Sequence, residues 1–147
     1  MYVPDHFRQD DRAAALELIE RHAFGLLAAG AEAAHLPFEL DRAAGALRCH
    51  VARTNPLARL AIGTPVLAVF AGPHAYVSPD WYASAGHVPT WNYVAVHVHG
   101  TARPLDPPAL EAHLEAVVAR EEAALAGKAP WTTARVEPRA LAALRRG

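Results

Sequence analysis

The sequence predicts an α+β fold that is mainly β, an antiparallel barrel or sheet with helices packed against it. Three observations carry that expectation. The periodic segments run helix, about five strands, then helices, without the βαβ alternation of a doubly wound parallel sheet. The segment 91–103 alternates cleanly, with Val94, Val96 and Val98 facing one way and Tyr93, Ala95, His97 and His99 the other. The 147 residues are 52% hydrophobic, enough for one domain with its own core, and no repeat or linker divides them.

Taken in order, residues 10–22 read as a helix capped by Asp10 or Asp11, with Ala14, Leu16, Leu18 and Ile19 as a partial apolar face. Phe24–Ala29, ending at Gly30, reads as a short buried strand. Residues 35–40 and 47–53 flank a break at 41–45 and form a hairpin of strands with a loose turn. Asn55-Pro56 ends the second of these strands, and residues 57–62 form a short helix. Residues 64–71 make a strongly apolar strand, Gly72-Pro73 interrupts it as a bulge or bend, and residues 74–77 continue it. Ser78-Pro79-Asp80 marks a turn or helix start, and 91–103 is expected to be the longest strand. Residues 107–126 form a helix, with Pro107 and Pro108 in its first turn and Leu110, Leu114, Val117, Val118 and Leu125 on its buried stripe. Residues 138–145 form a weak last helix. His22 and His113, both on helices, are expected at the surface.

Composition excludes several classes. The apolar content rules out a disordered or collagen-like chain. No apolar run approaches the roughly 18 residues of a membrane span, so a soluble protein is expected. The start, MYVPDHFRQDD, has neither a basic n-region nor an apolar h-region, which predicts no signal peptide and a cytoplasmic location. A single cysteine, Cys49, excludes an internal disulfide and a cysteine-cluster metal site. The net charge of −1 gives no bulk electrostatic reason to bind nucleic acid. The 34 alanines, and arginine at 13 of 14 basic positions, read as a compositional bias of the source. GxGxxG, P-loop, GxSxG and HExxH patterns are all absent.

Three places carry candidate chemistry. His97 and His99 share one strand face at a usable ligand spacing, but no carboxylate nearby in sequence completes a set. A polar, partly wet strand face explains them as well, and no metal is expected. In His50-Val51-Ala52-Arg53-Thr54-Asn55-Pro56, alternation puts His50, Ala52 and Thr54 on one face, and Asn-Pro forces the chain out of the strand. An arginine among hydroxyl, amide and backbone donors at a strand end suits a phosphate group. A surface arginine beside a turn-forming asparagine is the plain alternative. Tyr76, Trp81, Tyr82, Trp91 and Tyr93 lie within 18 residues, although the chain has only 11 aromatics. Mixed with Ser78, Thr90 and Asn92, these rings suit either a planar ligand or an interface rich in Trp and Tyr.

Taken together, MYVPDHF at the start, HLPFEL at 35–40, HVARTNP at 50–56, GPHAYVSPDWY at 72–82 and VPTWNYVAVHVHG at 88–100 resemble the PaiB family. The matches keep the family's order from about residue 1 to 131, most of the chain. That family is described as FMN-binding negative transcriptional regulators of the flavin split-barrel class. The resemblance implies a single FMN-binding split-barrel domain over 1–147, antiparallel, with about six strands and flanking helices. It implies a homodimer with FMN clefts at the subunit interface. By resemblance, His50, Arg53, Thr54 and Asn55 hold the FMN phosphate, and Trp91, Asn92 and Tyr93 border the flavin. Ser78, Trp81 and Tyr82 face the partner and the mouth of the cleft. The family continues with a further strand and a lysine- and glutamine-containing tail. This chain stops at Leu144-Arg145-Arg146-Gly147, about where that strand is expected to begin, so either the barrel lacks its last strand or the sequence is a shortened one. With Lys128 as the one lysine, phosphate contacts must use arginine.

The function expected from this resemblance is that of a PaiB-type FMN-binding protein and negative transcriptional regulator. No helix-turn-helix or basic stripe supports direct DNA binding. The alternative class is a flavin-dependent oxidoreductase, for which no general base or nucleophile names a substrate. A lesser alternative is haem binding with His97 or His99 as axial ligand.

Overall fold

The computed structural model describes residues 3–144. Helix α1, Arg12–Arg21, starts where the Asp11 side chain accepts a hydrogen bond from the Ala13 N–H at 2.8 Å. Strands β1, Phe24–Ala29, and β2, Glu32–Pro37, form a hairpin. Its two-residue loop opens on Gly30, whose φ of +58° is the left-handed conformation that such tight hairpins need. Strands β3, Glu39–Asp41, and β4, Ala46–Arg48, make a second, smaller hairpin. Asp41 shapes its turn by accepting from the Ala44 N–H at 2.9 Å.

Strand β5, Pro65–Val77, and strand β6, Thr90–Thr101, form the long hairpin of the molecule. Its register shifts between Ala71 and His74, where Gly72-Pro73 forms the expected bulge. The four-stranded antiparallel sheet has the order β2-β1-β5-β6, and β3-β4 stands as a two-stranded sheet. Helix α2, Pro107–Ala123, follows, and α3, Pro138–Leu144, ends the described chain. Among the described residues the fold is therefore mainly antiparallel β with helices, consistent with a split barrel.

Ile19 of α1, Leu36 of β2, Phe38, and Ala68 and Phe70 of β5 form the core cluster. Phe38 and Phe70 meet edge to face, with centroids 5.1 Å apart. Val96 and Val98 pack on this cluster from β6, and α2 adds the buried pair His113 and Val117.

The structure corrects several expectations. The segment 47–53 is not one strand: its ladder ends at Arg48 because β3 offers only three partners. The expected strand over 35–40 divides between β2, which begins at Glu32, and β3, and the Phe38 N–H turns aside to the Ala23 carbonyl at 2.8 Å. β5, with 13 residues, exceeds β6, with 12, as the longest strand. α2 stops at Ala123, so Leu125 lies beyond the stripe and is exposed. His113 is not a surface residue but is buried, for a reason given below. The last helix ends at Leu144 as described, and Arg145 lies outside the described residues.

Candidate functional site

Residues 49–55 leave the small sheet and cross to a 3₁₀ turn at Pro56–Arg59. Asn55 caps that turn, its side-chain oxygen accepting from the Leu57 N–H at 2.9 Å. Leu57 is buried, which anchors the far end of the loop. Val51 packs against the core, and Arg53 and Thr54 stand exposed. Among the described residues the Arg53 guanidinium has no ion pair or hydrogen bond, a condition it shares with Arg12, Arg21, Arg59, Arg103 and Arg139, whereas Arg8, Arg42, Arg48 and Arg120 each pair with a carboxylate. A guanidinium without existing contacts, on a loop that also carries the Thr54 hydroxyl, fits a phosphate group without breaking any contact.

His50, at the start of this loop, is half-buried, and its Nδ1 lies 3.2 Å from Nε2 of His113. His113 Nδ1 in turn lies 2.8 Å from Oε2 of Glu39. Burial first, and His113 second, hold the His50 pKa below its ordinary value. Burial pushes the adjacent Cys49 thiol up to about 11, so it stays neutral and inert. Glu39 also lines a cavity of about 310 Å³ with Ile19, Glu20, Phe38, Leu40 and Arg120. The sequence reading missed this chain of groups. Its one legible signal was that His113 falls in register with Leu110, Leu114 and Val117 on the buried stripe of α2.

The aromatic segment lies on the far half of the long hairpin. Tyr76 pairs across the strands with Trp91, and His74 with Tyr93, so these four share one face. The His74 and Trp91 rings stack with centroids 5.9 Å apart, and Tyr76 leans on Trp91 at 6.1 Å. Trp91 is 55% and Tyr93 59% exposed. Asn92 lies on the opposite face, opposite Ala75. Ser78 is half-buried and caps the 3₁₀ turn Pro79–Trp81, its hydroxyl accepting from the Asp80 N–H at 3.3 Å. Trp81 is exposed, and Tyr82 stacks on His87 at 4.2 Å.

The structure thus brings Trp91 and Tyr93 together on one face and gathers His50, Arg53, Thr54 and Asn55 in one loop. No hydrogen bond, ion pair or ring contact among the described residues links these two groups within one chain. The face that carries Trp91 and Tyr93 continues along the register through Ala95, His97 and His99, across Val69 and Leu67, to Leu26 and Ala28. Leu26, Leu67 and Val69 are only half-buried there, on the side of the sheet away from Phe70. Among the described residues no three His, Cys, Asp or Glu side chains gather as a metal site. No described helix is long and apolar enough to cross a membrane.

A family described as "Putative FMN-binding domain" matches residues 1–147. The chain is 33% identical over 129 residues to the protease synthase and sporulation protein PAI 2 of Bacillus subtilis, covering 83% of this chain and 62% of that protein. It is 38% identical over 79 residues to the uncharacterized protein YKL070W of Saccharomyces cerevisiae, covering 48% of this chain and 47% of that protein. An uncharacterized protein of Aspergillus fumigatus is 33% identical over 104 residues, covering 47% of this chain and 40% of that protein. The chain spans less than two thirds of the length of each of these relatives.

Proposed function

From the premise that this chain belongs to the PaiB-like FMN-binding domain family, we propose that it is a homodimeric FMN-binding protein. The observation that carries the reading is the unpartnered Arg53 guanidinium on an anchored, solvent-facing loop. A phosphate dianion there gains a charge-assisted bidentate contact from Arg53 and hydrogen bonds from Thr54 and His50. Asn55 acts differently: its side-chain oxygen is engaged by Leu57, so it sets the loop's shape.

On this reading the flavin ring lies along the aromatic face of a second copy. Trp91 and Tyr93 supply flat apolar walls and Ser78, Trp81 and Tyr82 the rim, while Asn92 faces the other side of the strand. The exposed face running from Trp91 to Leu26 is the surface such a dimer covers. Bound flavin supplies electron or hydride transfer, while the chain supplies position and a screened site. The negative regulation of transcription implied by the resemblance is carried here as a property of the flavin-loaded dimer. A gel shift at modest salt tests whether DNA is its direct target.

The test is to incubate the purified protein with FMN and pass it through a sizing column. Flavin absorbance travelling with a species of twice the 15.8 kDa chain mass is expected. A colourless protein peak overturns the reading.

A further inference from the structure

His113 is 1% exposed, yet it is a histidine on the apolar stripe of α2. Its two ring nitrogens meet groups from two other parts of the fold, Glu39 of β3 and His50 of the 49–55 loop. A carboxylate has no donor, so the hydrogen on His113 Nδ1 points at Glu39. One hydrogen is then shared between His113 Nε2 and His50 Nδ1. No buried side-chain nitrogen or oxygen among the described residues lacks a partner. His50 Nε2 has none, so that nitrogen faces solvent.

The proton count fixes what His50 presents. With both rings neutral, His113 Nε2 must accept from His50 Nδ1, and His50 Nε2 carries a lone pair. One added proton places an N–H at His50 Nε2 whichever ring holds the shared hydrogen. If His113 donates to His50, the neutral His50 bears its hydrogen on Nε2. If His50 donates, it is the imidazolium and bears hydrogens on both nitrogens. Neither case moves a heavy atom.

We infer that Glu39, His113 and His50 form a one-proton switch, in which a single added proton turns the outward nitrogen of His50 from acceptor to donor and so couples phosphate-monoester binding to proton uptake. This rests on the reading that the 50–55 loop holds the FMN phosphate. Phosphate oxygens offer lone pairs, so the acceptor form of His50 repels them and the donor form binds them. The surrounding charges do not duplicate the switch. Arg48 lies 3.7 Å from Glu39 and pairs more closely with Asp41. Arg120 engages the Phe38 carbonyl and Glu121, and Cys49 stays neutral. Arg53 is the fixed positive charge of the loop. The lowered His50 pKa favours the acceptor form of ligand-free His50 at neutral pH, so binding takes up the proton. Glu39 and His113 are positioning residues in this scheme.

The experiment measures FMN affinity at pH 8 and 6.5 for wild type, His50→Gln and Glu39→Gln, with riboflavin as the phosphate-free ligand. Histidine ¹⁵N NMR, with FMN or inorganic phosphate added, reads Nε2 directly. The FMN phosphate titrates alike in all samples, so the difference between proteins isolates the switch. Wild type should gain affinity over His50→Gln as pH falls, by at most about tenfold per pH unit for one coupled proton. Glu39→Gln should flatten that gain, riboflavin should show none, and the Nε2 resonance should move from lone-pair to N–H character. Equal pH slopes in wild type and His50→Gln overturn the switch and leave FMN binding standing. Failure of FMN to bind, with phosphate still converting Nε2, overturns the FMN reading and leaves the switch. If neither ligand binds, both fall.

Discussion

Gly25 and Phe70 approach more closely than any other residue at position 25 would permit. A Cβ on Gly25 would lie 2.9 Å from Phe70 Cε1 and 2.9 Å from the Val69 carbonyl oxygen. Phe70 is fully buried and the carbonyl belongs to the β5 ladder, so neither can yield cheaply. Gly25→Ala should therefore destabilise the domain by about 1–3 kcal/mol, as overpacking does. Gly100→Ala, in the same sheet with nothing within 4 Å, should change stability by less than about 0.5 kcal/mol. Urea unfolding of the two variants beside wild type checks the contrast.

The Asp11 cap satisfies one of the first N–H groups of α1, the helix that contributes Ile19 to the core. Asp11→Ala should cost about 1 kcal/mol, and Asp11→Asn, which keeps the acceptor, much less. Thermal melts at one pH measure both.

His50 sets a pH dependence of stability whose sign follows from its lowered pKa. The unfolded chain takes the proton first, so this contribution is complete above the ordinary imidazole value of about 6.5 and is lost as pH falls below it. The melting temperature of ligand-free wild type should drop between about pH 7 and about pH 5.5, and that of His50→Gln should drop less. A steeper fall in the variant would contradict the assignment.

Trp91 and Tyr93 are exposed in one chain, so charging them leaves the core of that chain untouched. Trp91→Arg and Tyr93→Arg should keep the far-ultraviolet spectrum of wild type and sediment as monomers, where wild type is expected to sediment as a dimer. A monomeric wild type would remove the proposed second wall of the flavin cleft.

Local chemistry made much of this fold legible. Gly72-Pro73 had to break the β5 ladder because proline has no N–H to donate, and the register does shift there. Asp11, Asn55 and Ser78 cap the turns they precede, as their short polar side chains favour. Strand extent was less legible. Alternation over 47–53 is real, but a strand needs a partner, and β3 supplies one for three residues only. The Glu39–His113–His50 chain was least legible, because Glu39 and His113 are 74 positions apart and only the packing of α2 over β3 joins them. The loop around Arg53 was found from residue types at a strand end, and its open guanidinium became visible only with the contacts of the other arginines in place.

The central claim is that Arg53 and its loop hold the phosphate of FMN. A fluorescence titration of wild type and Arg53→Ala with FMN and with riboflavin tests it most directly. Wild type should quench FMN with a Kd of roughly 50 μM or tighter, about −6 kcal/mol. Arg53→Ala should bind FMN about tenfold to a hundredfold more weakly, as loss of a charge-assisted contact predicts, while riboflavin affinity stays the same in both proteins. Equal FMN affinity in wild type and Arg53→Ala, or no quenching by wild type at all, would contradict the account.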